Sequence, residues 1–69
     1  MKVIYDPETD TLDMIFKEGS VVESDEEKPG IIFDYDAEGH IVSIEVLEAS
    51  KKMSQPIGIS FEVAPSVHH

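Results

Sequence analysis

The feature that most constrains the fold of this chain is an alternation of apolar and polar side chains along several segments. In residues 11–17, one face of an extended backbone carries Leu12, Met14 and Phe16, and the other face is mostly polar. The same period of two recurs in residues 31–36, 41–47 and 57–63. This period is typical of strands that turn one face toward a core. The sequence therefore predicts a mainly β fold.

Two short stretches that nearly repeat each other separate these strands. YDPETD occupies residues 5–10 and YDAEGH occupies residues 35–40, an offset of 30 residues. The Pro of the first copy has its φ pre-set for a turn, and the Gly of the second is suited to a positive φ. The Asp after each Tyr can accept hydrogen bonds from nearby backbone N–H groups. We predict hairpin turns at residues 7–10 and 37–39, in an antiparallel sheet built from two hairpins.

The remaining segments give three further expectations. The acidic run of residues 23–28 fits either an extended edge strand or a loop, and we favour a short strand at 21–24 followed by a loop. Residues 48–53 lose the period of two and are mostly good helix formers, which predicts a short helix. The alternation in residues 57–63 predicts an extra strand.

These segments fit one small domain that covers residues 1–63. We expect residues 64–69 to be a disordered tail, and the His pair at its end is typical of the remains of a purification tag. The alternation also predicts which side chains form the buried face of the sheet: Leu12, Met14, Phe16, Phe33, Tyr35, Val42, Ile44 and Val46.

The chain lies near the lower size limit for independent stability. A domain of 69 residues buries only about 60% of its unfolded surface, and the absence of Cys excludes disulfides and thiolate metal sites. Apolar side chains such as Ile15 and Ile32 also occupy the polar faces of strands, and exposed apolar surface usually marks association. We therefore expect a homo-oligomer whose interface contains Ile57, Ile59, Phe61 and Val63, either exchanged or packed. The alternative is a monomer in which this segment is an intramolecular sixth strand.

The charge of the chain limits the classes of molecule that it can bind. The net charge is −10, from 15 acidic residues against five Lys, and there is no Arg. Such a charge repels phosphate backbones, and Arg is the usual phosphate ligand, so we expect no nucleic-acid binding. An acidic surface can attract a basic protein partner or can serve solubility alone. The apolar runs are too short to span a membrane and no signal peptide is recognisable, so we expect a cytoplasmic protein.

The stretches YDPETDTLDMIF and VVESDEEKPGIIFDYDAEGHIVSIEVLEAS together resemble a bacterial family of small proteins of unknown function, DUF2283. The likeness covers roughly residues 2–53 and rests on the Tyr5-Asp6-Pro7 turn, the Pro29-Gly30 pair, the 34–39 hairpin, and the 44–46 strand that leads into Ala49-Ser50. The resemblance implies a mostly antiparallel sheet with a short C-terminal helix, and it implies no catalytic residues. Some members look like partners of small toxin-like proteins, so the resemblance implies an antitoxin-type role.

Carboxylates in and beside the two turns are the candidate metal ligands. Hard cations such as Ca²⁺ prefer several oxygen ligands from one loop. Two spaced groups offer such oxygens: Asp6, Glu8, Asp10 and Asp13, then Asp34, Asp36 and Glu38. Neither group matches the twelve-residue calcium loop. Acids in hairpin turns commonly accept bonds from backbone N–H groups, so we favour the structural role.

We expect neither an enzyme nor a bound cofactor. Paired carboxylates act as acid and base only when their surroundings separate their pKa values, and the most sheltered pair by pattern is Asp34 and Asp36. His40 is expected to be a solvated turn residue, and a chain this short struggles to build a substrate pocket. The leading hypothesis is an acidic, homo-oligomeric protein-interaction module, antitoxin-like toward a basic partner. The alternative is a divalent-cation site made by the turn carboxylates.

Overall fold

The computed structural model describes residues 1–54 and 58–66 of the chain. In chain order these residues form five strands and one short helix: β1 Lys2–Asp6, β2 Thr11–Ile15, β3 Glu23–Lys28, β4 Ile31–Tyr35, β5 Ile41–Val46 and α1 Ala49–Lys52. None of the described residues belongs to a helix with the length and apolar character needed to cross a membrane.

The strands form one sheet in the order β1-β2-β5-β4-β3, and all neighbours are antiparallel. Tight turns join β1 to β2, β3 to β4 and β4 to β5, while residues 16–22 connect β2 to β3 at the opposite edge of the sheet. The last strand, β5, therefore lies in the middle, between β2 and β4. The mainly β, antiparallel fold and the short helix were predicted correctly, although the sheet contains three hairpins rather than two.

The two repeated stretches both form hairpin turns and use their Asp in the same way, although the connection between the strands is four residues long in the first and five in the second. In the first turn the Glu8 N–H donates to Oδ1 of Asp6 (2.9 Å), and in the second the Glu38 N–H donates to Oδ1 of Asp36 (3.0 Å). An Asp that bonds the backbone two residues ahead stabilises a turn locally. Both hairpin turns are therefore confirmed, with Asp in the role that the sequence predicted.

The acidic run forms a strand, so the expectation of a short strand at 21–24 followed by a loop is wrong. The strand β3 spans Glu23–Lys28 at the edge of the sheet, and all six of its residues are exposed. Its backbone pairs with β4, which stabilises an extended conformation that its charged side chains do not favour by themselves. Charged side chains at an edge point into water at little cost and discourage pairing with other sheets.

The extra strand expected at 57–63 is not observed, because no strand is assigned within residues 58–66. Residue 57 lies outside the described residues. Residues 58–61 line a groove over one face of the sheet instead of pairing with an edge strand. Alternation favours an extended backbone, but a strand also needs a partner edge.

The core lies on the face of the sheet that α1 covers, which we call the apolar face. Leu12, Val46 and Ala49 form its buried centre, and Val42 is buried further along β5. Most of the other predicted core side chains are only half-buried: Met14, Phe33, Tyr35 and Ile44. Phe16 was predicted wrongly, since it is 39% exposed. A four-residue helix covers only the end of the sheet near Leu12, so the end near Phe16 stays open.

Candidate functional site

The face of the sheet opposite the core, which we call the polar face, gathers acidic side chains from three strands. Since side chains alternate between faces, the cross-strand partners Asp13 of β2 and Glu45 of β5 share this face. Asp34 of β4 lies on it opposite Ser43 of β5. Ser24 of the edge strand β3 lies opposite Asp34 on the other side. We call Asp13, Asp34 and Glu45 the carboxyl cluster.

Asp34 is the buried centre of this face, with 5% of its surface exposed. Its two carboxylate oxygens accept hydrogen bonds from Ser24 Oγ (2.6 Å) and Ser43 Oγ (2.7 Å). Burial alone would raise the pKa of Asp34, but hydrogen bonds from Ser24, Ser43 and the Glu45 carboxyl together hold this pKa below its usual value. Asp34 is therefore a buried carboxylate that stays ionised at neutral pH.

Glu45 is the member of the carboxyl cluster whose pKa is raised. Its pKa is raised to about 7, first by its hydrogen bond to the Asp34 carboxylate, then by burial and by the negative charges of Asp34 and Asp13. Asp13 adds an unusual feature, because its Oδ1 is buried and has no hydrogen-bond partner. Near neutral pH the cluster thus holds more carboxyl oxygens than donors.

No cation compensates this charge within the described part of the chain. The ion pairs found there involve Lys17 with Asp36, His40 with its turn neighbours, and Lys51 with Glu48, and none of them includes a member of the carboxyl cluster. Burying carboxylates without a positive partner is unfavourable. A guanidinium or ammonium group placed here would gain both charge attraction and hydrogen bonds.

Apolar side chains border the carboxyl cluster on the same face. The register places Ile4 opposite Asp13, and Ile32 opposite Glu45. Ile4 is 43% exposed, and Ile32 is half-buried. Protein-binding surfaces usually combine an apolar centre with a polar rim, and here apolar side chains lie directly beside desolvated polar groups. The exposed acidic strand β3 continues this surface, because its Ser24 bonds Asp34.

The carboxylates predicted as metal ligands do not converge as one set. Asp6 is used in its own turn, and Asp10 accepts hydrogen bonds from Tyr5 and Ser50. Within residues 1–54 and 58–66, one group of three places ligand atoms within 4.8 Å of one another, and it consists of Asp36, Glu38 and His40. His40 was not among the predicted ligands.

Asp36 already has partners from its own chain. Its Oδ1 accepts the N–H groups of Glu38 and His40, and its Oδ2 accepts Lys17 Nζ at 2.6 Å. The Lys17 hydrogen bond and the backbone donors lower the pKa of Asp36 to about 2. Asp36 therefore stabilises the turn, and a metal ion would compete with Lys17 for its carboxylate.

Asp10 joins the first hairpin to the helix. The N-terminus of α1 has no side-chain cap from Glu48, and the N–H groups of Ala49 and Ser50 donate instead to the Asp10 carbonyl oxygen and Asp10 Oδ1 (2.9 and 3.0 Å). Ser50 Oγ and Tyr5 OH also donate to the Asp10 carboxylate (2.6 and 2.7 Å). The helix is thus capped by a turn residue 40 positions earlier in the chain.

Substituting Asp10 is expected to lower the melting temperature in a graded way. Asp10 has a φ of 56°, a conformation that Asn tolerates and Ala resists. Asp10→Asn keeps this conformation and one acceptor oxygen, and we expect a loss of a few degrees. Asp10→Ala loses all three side-chain bonds and the conformational preference, and we expect a loss on the order of 10 °C. Thermal melts by circular dichroism would measure both, and equal losses would contradict this role.

The carboxyl cluster was only partly accessible to sequence reasoning. The pattern placed Asp34 among the sheltered acids, which the structure confirms, but it did not connect Asp34 with Glu45 or Asp13. The available signal was that all three occupy the polar face of their own strand. Joining them requires the strand order β2-β5-β4, which alternation within single strands does not reveal.

Two of the predicted interface residues, Ile59 and Phe61, line the groove on the apolar face. Ile59, Phe61 and Val63 are all exposed, and Ile57 lies outside the described residues. Residues 58–61 line one side of the groove on the apolar face, so they do not belong to the surface that carries the carboxyl cluster.

A one-layer antiparallel sheet of five strands with one short helix defines a small mainly β domain. The chain belongs to the family described as "Protein of unknown function (DUF2283)", whose model matches residues 2–50. It is similar to an uncharacterized protein of Methanocaldococcus jannaschii, with 39% identity over 51 residues that make up 74% of this chain and 43% of the relative. The chain thus spans less than half the length of that relative. No solved structure matches it significantly.

Proposed function

We propose that this chain is a non-enzymatic, cytoplasmic protein-interaction module that binds a basic protein partner on its polar face, an antitoxin-like role. The observation that carries the proposal is the carboxyl cluster, in which Asp34 is buried, Asp13 Oδ1 has no donor and no ion pair supplies a cation within the described residues. A basic side chain from a partner would satisfy these oxygens.

The edge strand β3 supports the same proposal. Its outer edge leaves backbone N–H and C=O groups available for an added strand. It carries four acidic residues against one Lys, so an extended basic segment would match it in both geometry and charge. The net charge of −10 would also speed the encounter with such a partner. We propose binding rather than catalysis because the cluster lies on a one-layer sheet, whereas catalytic sites are typically concave.

The test compares partner capture by matched charge variants. The full chain is immobilised and exposed to a lysate of its native host, in parallel with an Asp13→Asn, Glu45→Gln variant. The control variant carries Glu8→Gln and Glu18→Gln, which likewise replace two acidic side chains by amides, but at exposed positions. We expect the wild type and the control to retain a basic protein that the cluster variant loses, and retention to weaken as salt rises.

Three results would contradict the proposal. In the first, quantitative mass spectrometry finds the same proteins on the cluster variant as on the wild type. In the second, the wild type retains no basic protein above the background of an uncoupled resin. In the third, the cluster variant and the control variant lose the basic protein equally. This result would mean that net charge, rather than the carboxyl cluster, determines binding.

A divalent-cation site at Asp36, Glu38 and His40 is the second candidate function, favoured by the convergence of their ligand atoms. Oxygen and imidazole ligands together suit Mn²⁺ or Zn²⁺. Binding to the folded state would raise the melting temperature, and chelator would reverse the rise. We expect His40→Ala to abolish this shift. A shift no larger than that of matched ionic strength, or one that survives His40→Ala, would exclude the site.

A further inference from the structure

The apolar face of the sheet is left partly open by the short helix. A groove of about 680 Å³ lies on it, and its walls include Met1, Val3, Leu12, Met14 and Met53. The helix packs Ala49 against Leu12 and Val46 at one end, and the groove adjoins this contact at Leu12. Among the described residues, none of those that line the groove has a charged side chain.

The segment of residues 58–63, which we call the apolar arm, supplies a matching surface that its own chain does not bury. Residues 58–61 line one side of the groove, yet Phe61 is 86% exposed, and Ile59 and Val63 are also largely exposed. These three apolar side chains alternate with Gly, Ser or Glu along the arm. One chain thus presents both an open apolar groove and an apolar segment facing water.

We propose that a second copy of this chain covers the groove with its own apolar arm, so that two copies form a symmetric dimer by exchanging arms. Each copy then contributes one groove and one arm. This arrangement has closed two-fold symmetry, which is the commonest form of soluble homo-oligomer.

The distribution of charge on the chain favours a second copy, rather than a basic partner, as the molecule that occupies the groove. The chain carries a net charge of −10, so two copies repel one another over most of their surfaces. The described groove walls have no acidic side chain, and the arm contains a single charged residue, Glu62. Two like-charged chains can therefore meet here with the least repulsion, whereas a basic partner would prefer the polar face.

The area involved is compatible with a stable small dimer. A phenyl ring offers about 150–250 Å², and each arm carries Phe61 with two aliphatic side chains. Burial of both arms and both grooves would remove on the order of 1,000–1,500 Å² from water, close to the lower limit of standard protein interfaces. The dimer is independent of the proposed partner binding, because the groove and the carboxyl cluster lie on opposite faces.

The first test uses the absence of Cys in the chain, because an introduced thiol is then unique. One full-length variant carries Val3→Cys in the groove and another carries Phe61→Cys in the arm. After mixing in a glutathione redox buffer, we expect a disulfide between the two variants. A disulfide requires Cα atoms within about 7 Å, so Val3→Cys mixed with Val22→Cys should link about tenfold less. Val22 is exposed in the connection before β3, which makes it a matched control.

The second test measures the oligomeric state by light scattering at tens of micromolar and moderate salt. We expect the full chain to be a dimer, Phe61→Asp to be a monomer, and Val22→Asp to remain a dimer. Both positions are exposed, so neither change should unfold the protomer. Association should strengthen as salt screens the repulsion between protomers.

Three results would overturn the proposal: a monomeric wild-type chain under these conditions, equal linking of both thiol pairs, or a Val3→Cys, Phe61→Cys double variant that closes only within one molecule. The last result would mean that the arm folds back over its own groove. None of these results would bear on the binding of a basic partner.

Discussion

Replacing Leu12 by Ala is expected to remove most of the stability of this protein. Leu12 is 2% exposed and packs in the buried centre with Val46 and Ala49. Deleting a fully buried Leu side chain typically costs about 2–5 kcal/mol, because transfer free energy is lost and a cavity remains. A chain of 69 residues is expected to have a free energy of unfolding of roughly 3–10 kcal/mol. The variant should therefore be largely unfolded, or melt many degrees lower.

The matched control for this variant is Ile4→Ala on β1. Ile4 is also an aliphatic residue in a strand, but it is 43% exposed, so its loss should cost only a fraction of the Leu12 value. Urea unfolding of both variants at one fixed protein concentration would give the two free energies. Similar losses in both variants would mean that the core is not centred on Leu12.

Contacts between residues that are close in sequence explain why the hairpins could be predicted. The turns depend on residues that lie within a few positions of one another, such as Asp6 with Glu8 and Asp36 with Glu38. Such contacts act within one short segment, whatever the rest of the chain does. The alternation around each turn then sets which side chains share a face. Together these features are enough to predict the hairpin turns and the side chains that share the apolar face.

Contacts between distant segments explain what could not be predicted. The strand β3 is extended because β4 pairs with it, although its own residues have little strand preference. The cap of α1 comes from Asp10 rather than from a neighbouring residue. The carboxyl cluster exists because β5 enters the sheet between β2 and β4. Each of these features depends on strand order, which alternation and turn chemistry leave open.

The prediction of buried side chains was wrong where burial depends on which element covers the sheet. Phe16 shares the apolar pattern of Leu12, yet it is exposed because the helix does not reach it. Phe61 is also exposed, although its segment alternates, because this segment joins no edge of the sheet. A pattern identifies the side of a strand that favours burial. The covering layer decides whether burial occurs.

Stability is expected to rise as pH falls from 8 to about 5, which is unusual for an acidic protein with ion-paired carboxylates. The pKa of Glu45 is about 7 in the folded protein, against an ordinary value of 4.5. Between these values the folded state binds more protons than the unfolded state, so stability decreases as pH rises and is lowest above pH 7. Below about pH 4 the sign reverses, because Asp34, Asp36, Asp10 and Glu48 have lowered pKa values and must be protonated. Maximum stability should lie at about pH 4.5–6.

Glu45→Gln separates this effect from the general charge of the chain. Glu45 faces Asp13 on β2 and Asp34 on β4, and Glu26 of β3 lies in the same cross-strand row, beyond Ile32. Gln is neutral at every pH and can still donate a hydrogen bond to Asp34. We therefore expect the variant to melt several degrees above the wild type at pH 8 and at about the same temperature at pH 5. Glu18→Gln removes one exposed charge and should leave the wild-type pH profile unchanged in shape. If Glu18→Gln flattens the profile as much as Glu45→Gln does, the pH dependence reflects overall repulsion rather than the proton held in the carboxyl cluster.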